Sequence, residues 1–336
     1  MGEGLCGYAA QHKQPVLVGD VRQDPRYLGL IPETRSELVV PLVHKDRLVG
    51  VFDLESTALN RFSEEHVKVL TPLASQVAIA IENARLYDEL VAKEERLDRE
   101  LSIARGIQRG LFPESCPAGP GWEASAHFRP ARELGGDLYD FYDVGDGRLG
   151  VAIGDVAGKG VPAALYGAFA SGTIRARAFE KHGPAALLTR VNRTLHRRGV
   201  DGLYCTVSYA LFDFEAGSMR IANSGLPYAQ HYRAAAARCA AIEVGGLPLG
   251  SFEGASYEER SLELGAGDVF VFATDGAVEA YNGREEYGPA RLRAQIERHA
   301  GRPAPELGEE ILADLGRFMG DATAGDDLTL IVVKIK

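Results

Sequence analysis

Between Phe62 and Leu111 the helical pattern of this chain is interrupted by one proline, Pro72, and by no glycine before Gly106. A proline there either restarts the helix or kinks it, because its ring removes a backbone donor and crowds the preceding turn. About forty helical residues span about 60 Å, too long for a helix held inside one small domain. The segment therefore reads as a tie between two bodies, and 336 residues suffice for about two domains with cores of their own. Phe62-Ser63-Glu64-Glu65 resembles the helix start, with Ser63 placed to cap and two acids in the first turn. Leu90, Leu97, Ala104 and Leu111 recur every seven residues, with Tyr87 and Leu101 offset by three or four and Glu94 and Gln108 interrupting the second apolar position. These imperfect heptads fit a short parallel coiled coil pairing two copies of the chain; the alternative is an amphipathic helix packed on its own domain.

Ahead of this segment, Pro15-Val16-Leu17-Val18 reads as a strand followed by turns at Asp20 and Asp24-Pro25. Leu38 to Val43 and Arg47 to Leu54 read as a hairpin across His44-Lys45-Asp46. Behind it, Pro113 to Gly121 is a turn-rich break. Hairpins are then expected about Gly145-Asp146-Gly147 and about Glu215-Ala216-Gly217-Ser218, with helices over 162–180, 289–299 and 307–319 and strands at 269–272 and 328–333. Strand pairs followed by helices, without regular βαβ alternation, predict an α+β domain of two sheets with helices outside.

Composition narrows the function classes. Hydrophobic residues make up 46% and charged residues 25%, an ordinary globular balance, and the net charge of −10 argues against sequence-independent affinity for nucleic acid or an anionic membrane. No apolar run has the length of a membrane span and the N-terminus carries no signal pattern, so a cytoplasmic protein is expected. Cys6, Cys116, Cys205 and Cys239 are far apart, form no Cys-x-x-Cys pair, and read as reduced thiols.

Four short acidic motifs carry the chemistry: Gly135-Gly136-Asp137, Gly154-Asp155-Val156, Thr274-Asp275-Gly276 and Gly325-Asp326-Asp327. The last three touch apolar runs of buried-strand type, Leu149 to Ile153, Val269 to Phe272 and Leu328 to Val333. Carboxylates held at strand ends repel one another unless cations sit between them. Hard oxygens with no neighbouring histidine or cysteine select Mg²⁺ or Mn²⁺. Four carboxylates exceed what one Mg²⁺ takes from protein, which suggests two ions, and a two-metal site serves phosphoryl hydrolysis. Any one of these aspartates alone would read as a turn residue, as Asp143 and Asp146 do.

The strings "GGDLYDFYDVGDGRLGVAIGDVAGKGVPAAL", "FATDGAVEAYNGREEYG" and "GDDLTLIVVKIK", preceded by "LSIARGIQRGLFP", resemble the SpoIIE-type branch of the metal-dependent serine/threonine phosphatases. The resemblance covers roughly residues 100 to 336. It implies an αββα sandwich with two Mn²⁺ or Mg²⁺ ions between the sheets. By that resemblance Asp155 bridges the ions, the Val156 carbonyl binds one, Asp275 and Asp326 hold the other, and Asp137 ligates directly or through water. Asp327 is the alternative to Asp326. Arg132, five residues before Asp137, stands where the wider family receives the substrate phosphate, and a guanidinium fork suits that task. Lys159 fails the spacing of a nucleotide P-loop, and its flanking glycines are read as a turn into the helix at Pro162. Where relatives commonly read Asn-Ala-Gly-His, this chain has Asn223-Ser224-Gly225-Leu226, which bears on substrate contacts rather than on metal binding.

The strings "GEGLCGYAAQHKQPVLVGDVRQDPRY", "SELVVPLVHKDRLVGVFDLES" and "FSEEHVKVLTPLASQVAIAIENARLYDEL" resemble the later part of a GAF sensor domain, with its first helix and strands absent. A structural role is expected of it rather than small-molecule binding. The expected organisation is a partial GAF-like domain over 1–88, a helical linker over 63–112 and the phosphatase domain over 113–336. The function implied is removal of phosphate from serine or threonine on a phosphorylated partner protein, of the anti-sigma-factor antagonist type. The linker helix would pair two copies and control the site. A nucleotidyl cyclase reading of Gly-Gly-Asp leaves the other three motifs unexplained, and a non-catalytic scaffold leaves the full aspartate set without a purpose.

Overall fold

The computed structural model describes residues 2–29, 31–180, 182–200, 202–320, 322 and 325–336. The chain divides into two compact units, Met1–Arg99 and Glu100–Lys336.

In the first unit, helix α1 (Gly4–His12) is followed by an antiparallel sheet of β1 (Val16–Val18), β2 (Ser36–His44) and β3 (Arg47–Ser56), in that order. The β2–β3 turn puts Lys45 and Asp46 at φ 45° and 60°, the left-handed pair that a two-residue hairpin loop needs. One face of the sheet packs Val16, Val18 and Val39 against Leu5 and Ala9 of α1; the other packs Leu38, Val40 and Leu42 against Ala74 and Ala78. This is the period-two alternation of strands buried on both faces.

Those two alanines belong to α2 (Glu64–Arg109), a helix of 46 residues that carries the chain from the first unit into the second. Pro72 lies inside it, so the helix neither stops nor restarts there. Nor does Ser63 cap it in the expected way: its hydroxyl meets His66 Nδ1 at 3.0 Å and its own N–H donates to the same nitrogen. Leu90 and Leu97 are exposed.

The second unit is two sheets between two pairs of helices. One sheet has five strands in the order β12 (Glu259–Glu263), β9 (Ser218–Asn223), β8 (Cys205–Asp213), β7 (Arg148–Val156) and β6 (Leu138–Gly145). The other has six, ordered β11 (Arg238–Ala241), β10 (Gln230–Arg233), β13 (Val269–Ala273), β14 (Leu328–Ile335), β5 (Trp122–Arg129) and β4 (Ala118–Gly119). Alternation along the strands makes three layers of core. Val151, Ile153, Phe212 and Ile221 meet Phe270, Phe272, Ile331 and Val333 between the sheets. Val269, Val271 and Val332 turn outward onto α6 (Gly288–His299) and α7 (Ala304–Met319). Ala152, Val207 and Tyr209 turn onto α3 (Val161–Ala178) and α4 (Pro184–Arg198). Helix α4 has no counterpart in the sequence expectations, although Pro184 in its first turn and Leu187, Leu188, Val191 and Leu195 on one face mark it as amphipathic. This αββα sandwich is the two-sheet α+β domain that the strand pairs predicted and the architecture that the family resemblance implied.

Candidate metal centre

Register brings the acidic motifs together. Leu138 pairs with Gly154, so Asp137, just ahead of β6, lies next to Asp155 at the end of β7. In the facing sheet Ala273 pairs with Leu330. Asp275, which opens the four-residue helix α5 (Asp275–Val278), therefore lies beside Asp326, just ahead of β14. Asp155, Asp275, Asp326 and Lys159 line one cavity of about 960 Å³ with Arg293 and Tyr228. Gly276 shows why a glycine follows Asp275: a Cβ there would overlap the Asp327 carbonyl, so only glycine lets α5 lie against the 326–327 segment.

The four carboxylates differ in their partners. Asp137 is almost fully buried; its Oδ2 accepts from Thr329 Oγ1 at 2.6 Å and Thr274 Oγ1 at 2.9 Å, while Oδ1 has no partner among the described residues. Burial, with Asp155 opposing it, holds the Asp137 carboxyl well above the usual carboxylate range. Burial and then Asp275 push the Asp155 carboxyl from its ordinary 3.8 up to about 7. Burial and then Asp326 raise Asp275, whose Oδ1 accepts the adjacent Gly276 N–H at 2.8 Å. The Asp326 carboxylate meets Lys159 Nζ at 2.8 Å.

Asp327, one residue on, is spoken for. Its Oδ1 accepts the Ala131 N–H at 2.8 Å and its Oδ2 the Gly136 N–H at 2.6 Å. The choice that the sequence left open thus has a geometric contrast: Asp326 faces the cavity, and Asp327 staples the loop that carries Asp137. The Val156 carbonyl is at the same rim, for a methyl on Gly136 would stand 3.0 Å from it and 3.3 Å from Asp155 Oδ1. The 131–135 loop is also gripped from α2. Gln108 Nε2 donates to the Gly135 carbonyl at 2.6 Å while its Oε1 accepts the Gly135 N–H at 3.3 Å, and Arg105 pairs with Glu133.

Arg132 is exposed on that loop and is not among the cavity-lining side chains. Sequence reasoning missed four residues here. Thr274 and Thr329 flank two of the motifs, so their hydroxyls could have been read as donors to a buried carboxylate. Lys159 carried a signal, its place three residues after the Gly-Asp-Val motif, but was weighed only as a P-loop lysine. Arg293, on α6, is an ordinary helix residue with no local signal. The Asn223 side chain donates to the Leu226 carbonyl and accepts its N–H, at 2.8 and 3.0 Å, which closes the Asn-Ser-Gly-Leu turn on itself.

A buried carboxylate oxygen without a donor, beside two carboxyls raised by burial and then by neighbouring acids, suits a hard divalent cation that supplies the missing positive charge. No nitrogen or sulfur ligand is needed at this rim.

Residues 145–336 match the family profile of Stage II sporulation protein E (SpoIIE), and residues 1–82 match that of a GAF domain. Asp137 lies upstream of the matched stretch. Phosphoserine phosphatase RsbU of Bacillus subtilis (strain 168) is 26% identical over 243 residues, 72% of this chain and 72% of RsbU. The SiaA-PP2C domain of Pseudomonas aeruginosa superposes with a TM-score of 0.65 at 22% identity, covering 73% of this chain and 99% of that domain. RsbX, in a crystal structure in complex with magnesium, superposes with a TM-score of 0.51 at 16% identity, covering 66% of this chain and 99% of RsbX.

Proposed function

Since the chain belongs to the SpoIIE family of protein serine/threonine phosphatases, with a GAF domain at its N-terminus, we propose that its acidic rim is a two-cation centre. In this reading the centre hydrolyses phosphoserine or phosphothreonine on a partner protein of the anti-sigma-factor antagonist type. The observation that carries this is the convergence of Asp155, Asp275 and Asp326, from three separate chain segments, on one cavity, with the donor-poor Asp137 behind them. Asp155 would bridge the ions with the Val156 carbonyl on one; Asp275 and Asp326 would hold the other, and Asp137 would ligate directly or through water. The cations are Mn²⁺ or Mg²⁺, the magnesium bound by RsbX favouring this ligand class. When bound, such a pair supplies an acidified water and neutralises phosphoryl oxygens for in-line attack.

The chain's own residues do the rest. Thr274 and Thr329 orient Asp137 and leave its second oxygen free for the ions. Lys159 holds Asp326 at the cavity and is placed to exchange that carboxylate for a substrate phosphate. Arg293 is the guanidinium that lines the cavity, and Arg132, exposed on its loop, is the alternative phosphate receiver; replacing each by alanine and comparing KM separates the two. The proposed control runs through α2. Gln108 grips both backbone groups of Gly135, so a shift of the helix is felt two residues before Asp137. Exposed Leu90 and Leu97 on its heptad positions support pairing of two copies. RsbU, the phosphoserine phosphatase of B. subtilis, supports the substrate class.

The test is phosphate release from serine-, threonine- and tyrosine-phosphorylated peptides with Mn²⁺, followed by capture of a phosphoprotein on an Asp155→Asn/Asp275→Asn variant. Turnover of the serine and threonine peptides that vanishes in the variant is expected. A protein that folds and binds Mn²⁺ yet releases no phosphate from any of them, alone or with its captured partner, sinks the proposal.

A further inference from the structure

We propose, on the phosphatase reading above, that Gln230 is a positioning residue for the reaction. Through a neutral contact it presents Arg293 to the substrate phosphate while leaving the guanidinium charge uncommitted. Both residues line the cavity that holds Asp155, Asp275 and Asp326.

At residue 230 packing asks for an apolar side chain, and the chain carries an amide. Gln230 opens β10 and pairs with Ala241 on one side and Val271 on the other. Val271 and Tyr232, two residues along β10, belong to the apolar layer between this sheet and helices α6 and α7. The period of the strand turns Gln230 the same way, and it is only 3% exposed. A leucine would fill the position, whereas a buried amide costs free energy unless its donors and its acceptor find partners. Here Nε2 donates to the Tyr228 carbonyl at 2.7 Å, and Oε1 lies 3.5 Å from Arg293 Nη1. These partners fix the amide one way round, because a carbonyl only accepts and a guanidinium only donates. At that length the contact steers the guanidinium without gripping it, and the other N–H groups of the fork stay available to a ligand. The same amide anchors the backbone of Tyr228, which also lines the cavity.

Arg293 itself is partly buried, and among the described residues no carboxylate forms an ion pair with it. On α6 its neighbours four and three positions before and three after are Pro289, Ala290 and Ile296, none of them charged. Glu297, four positions on, stands where a helical ion pair would ordinarily form. Its Oε1 instead accepts the Cys239 N–H of β11 at 2.8 Å. Lys159, the other basic side chain lining the cavity, is paired with Asp326 at 2.8 Å. Among the described lining residues Arg293 is therefore the cation left uncommitted, and its planar fork matches the oxygens of a phosphate. A carboxylate at residue 230 would hold that fork more firmly and cancel its charge. The neutral amide holds it and does not.

The test is steady-state hydrolysis of a phosphoserine peptide at saturating Mn²⁺ by the wild type, Gln230→Leu, Gln230→Glu, Arg293→Ala and the Gln230→Leu/Arg293→Ala pair. Gln230→Leu is expected to raise KM roughly 10-fold, the scale of one hydrogen bond to a charged group. Its kcat stays within about twofold, the pattern of lost binding shared by ground and transition states. In the Arg293→Ala background the same change moves KM no further, because Gln230 acts through Arg293. Gln230→Glu keeps the side chain's shape and would strengthen a merely structural tie, yet it raises KM as well. Mn²⁺ affinity, read by titration, is unchanged in Gln230→Leu, which separates the effect from damage to the metal centre. Thermal unfolding identifies a variant that has lost its fold, and where that is Gln230→Leu, Gln230→Glu carries the test. An unchanged KM in both variants of residue 230 overturns the proposal, as does a rise that is equal with and without Arg293. Wild-type protein that releases no phosphate, alone or with its captured partner, removes the phosphatase reading and this proposal with it. Turnover with a KM indifferent to residue 230 removes the proposal alone.

Discussion

Asp268 immediately precedes β13 and Asp275 lies two residues beyond its end, so one strand separates two aspartates that the fold treats in opposite ways. Asp268 is buried and fully supplied: His231 Nε2 lies 2.9 Å from Oδ2, and the N–H groups of Ala234 and Gly265 donate to its two oxygens at 2.9 and 3.1 Å. Asp275 receives only local backbone N–H groups among the described residues, its own and that of Gly276, and otherwise faces Asp326 and Asp155. The first is a knot that ties β10 and the 265–268 turn together. The second is left short of donors, and a carboxylate short of donors is available to a cation. Neighbours at the other strand divide by direction: Asp327 accepts two backbone N–H groups of the loop that carries Asp137, while Asp326, which accepts the Asp327 N–H and pairs with Lys159, looks into the cavity. Facing the cavity separates the candidate ligands Asp275 and Asp326 from Asp268 and Asp327, whose donors tie one chain segment to another.

The comparison can be broken most forcefully at the donor-poor end. Asp155→Asn or Asp275→Asn lowers Mn²⁺-dependent turnover by more than about 100-fold, beyond the 10–100-fold usual for outer-shell changes, with the melting temperature kept or raised because mutual repulsion is relieved. Thr329→Val, which removes one hydroxyl from Asp137, falls within that 10–100-fold range in metal affinity. At the donor-rich end the effects invert. Asp268→Asn lowers stability by about 1–3 kcal/mol, the cost of leaving buried partners unpaired, and leaves Mn²⁺ affinity unchanged; denaturant unfolding and Mn²⁺ titration check both halves. Were Asp268→Asn to weaken Mn²⁺ binding instead, the division of labour along β13 would be wrong.

The smallest predicted effect is a pH slope. Asp155 has its carboxyl raised from 3.8 in the unfolded chain to about 7 in the folded one, so the folded state holds the extra proton. Its contribution to stability is therefore complete below the unfolded value and is lost as pH rises through about 7. Chelator-treated protein melts at a falling temperature between those limits, and saturating Mn²⁺, which favours the deprotonated form, flattens or reverses the slope. Asp155→Asn removes this component in the metal-free protein.

The sandwich was legible where continuous apolar, β-branched or aromatic runs mark buried strands, as in Val269 to Phe272 and Leu328 to Val333, and where glycine-rich turns mark hairpins. It was not legible at β10, β11 and β12, which are short, polar on one side, and defined by partners far off in sequence. Helix α4 carried a readable amphipathic pattern that was passed over. At the site, the aspartates announced themselves by repeating beside strands, but the choice between Asp326 and Asp327 depends on whether the Ala131 and Gly136 amides are within reach. That is a property of the loop, not of the motif. Gln108 was read as a flaw in a heptad; it interrupts the apolar series at the residue that grips Gly135.

The most direct test of the central claim is hydrolysis of a phosphoserine peptide by the chelator-treated protein before and after Mn²⁺ is returned. The account predicts no turnover without a divalent cation, restoration by Mn²⁺ in the wild type, and none in Asp155→Asn. Turnover that needs no divalent cation, or that survives Asp155→Asn at saturating Mn²⁺, would contradict it.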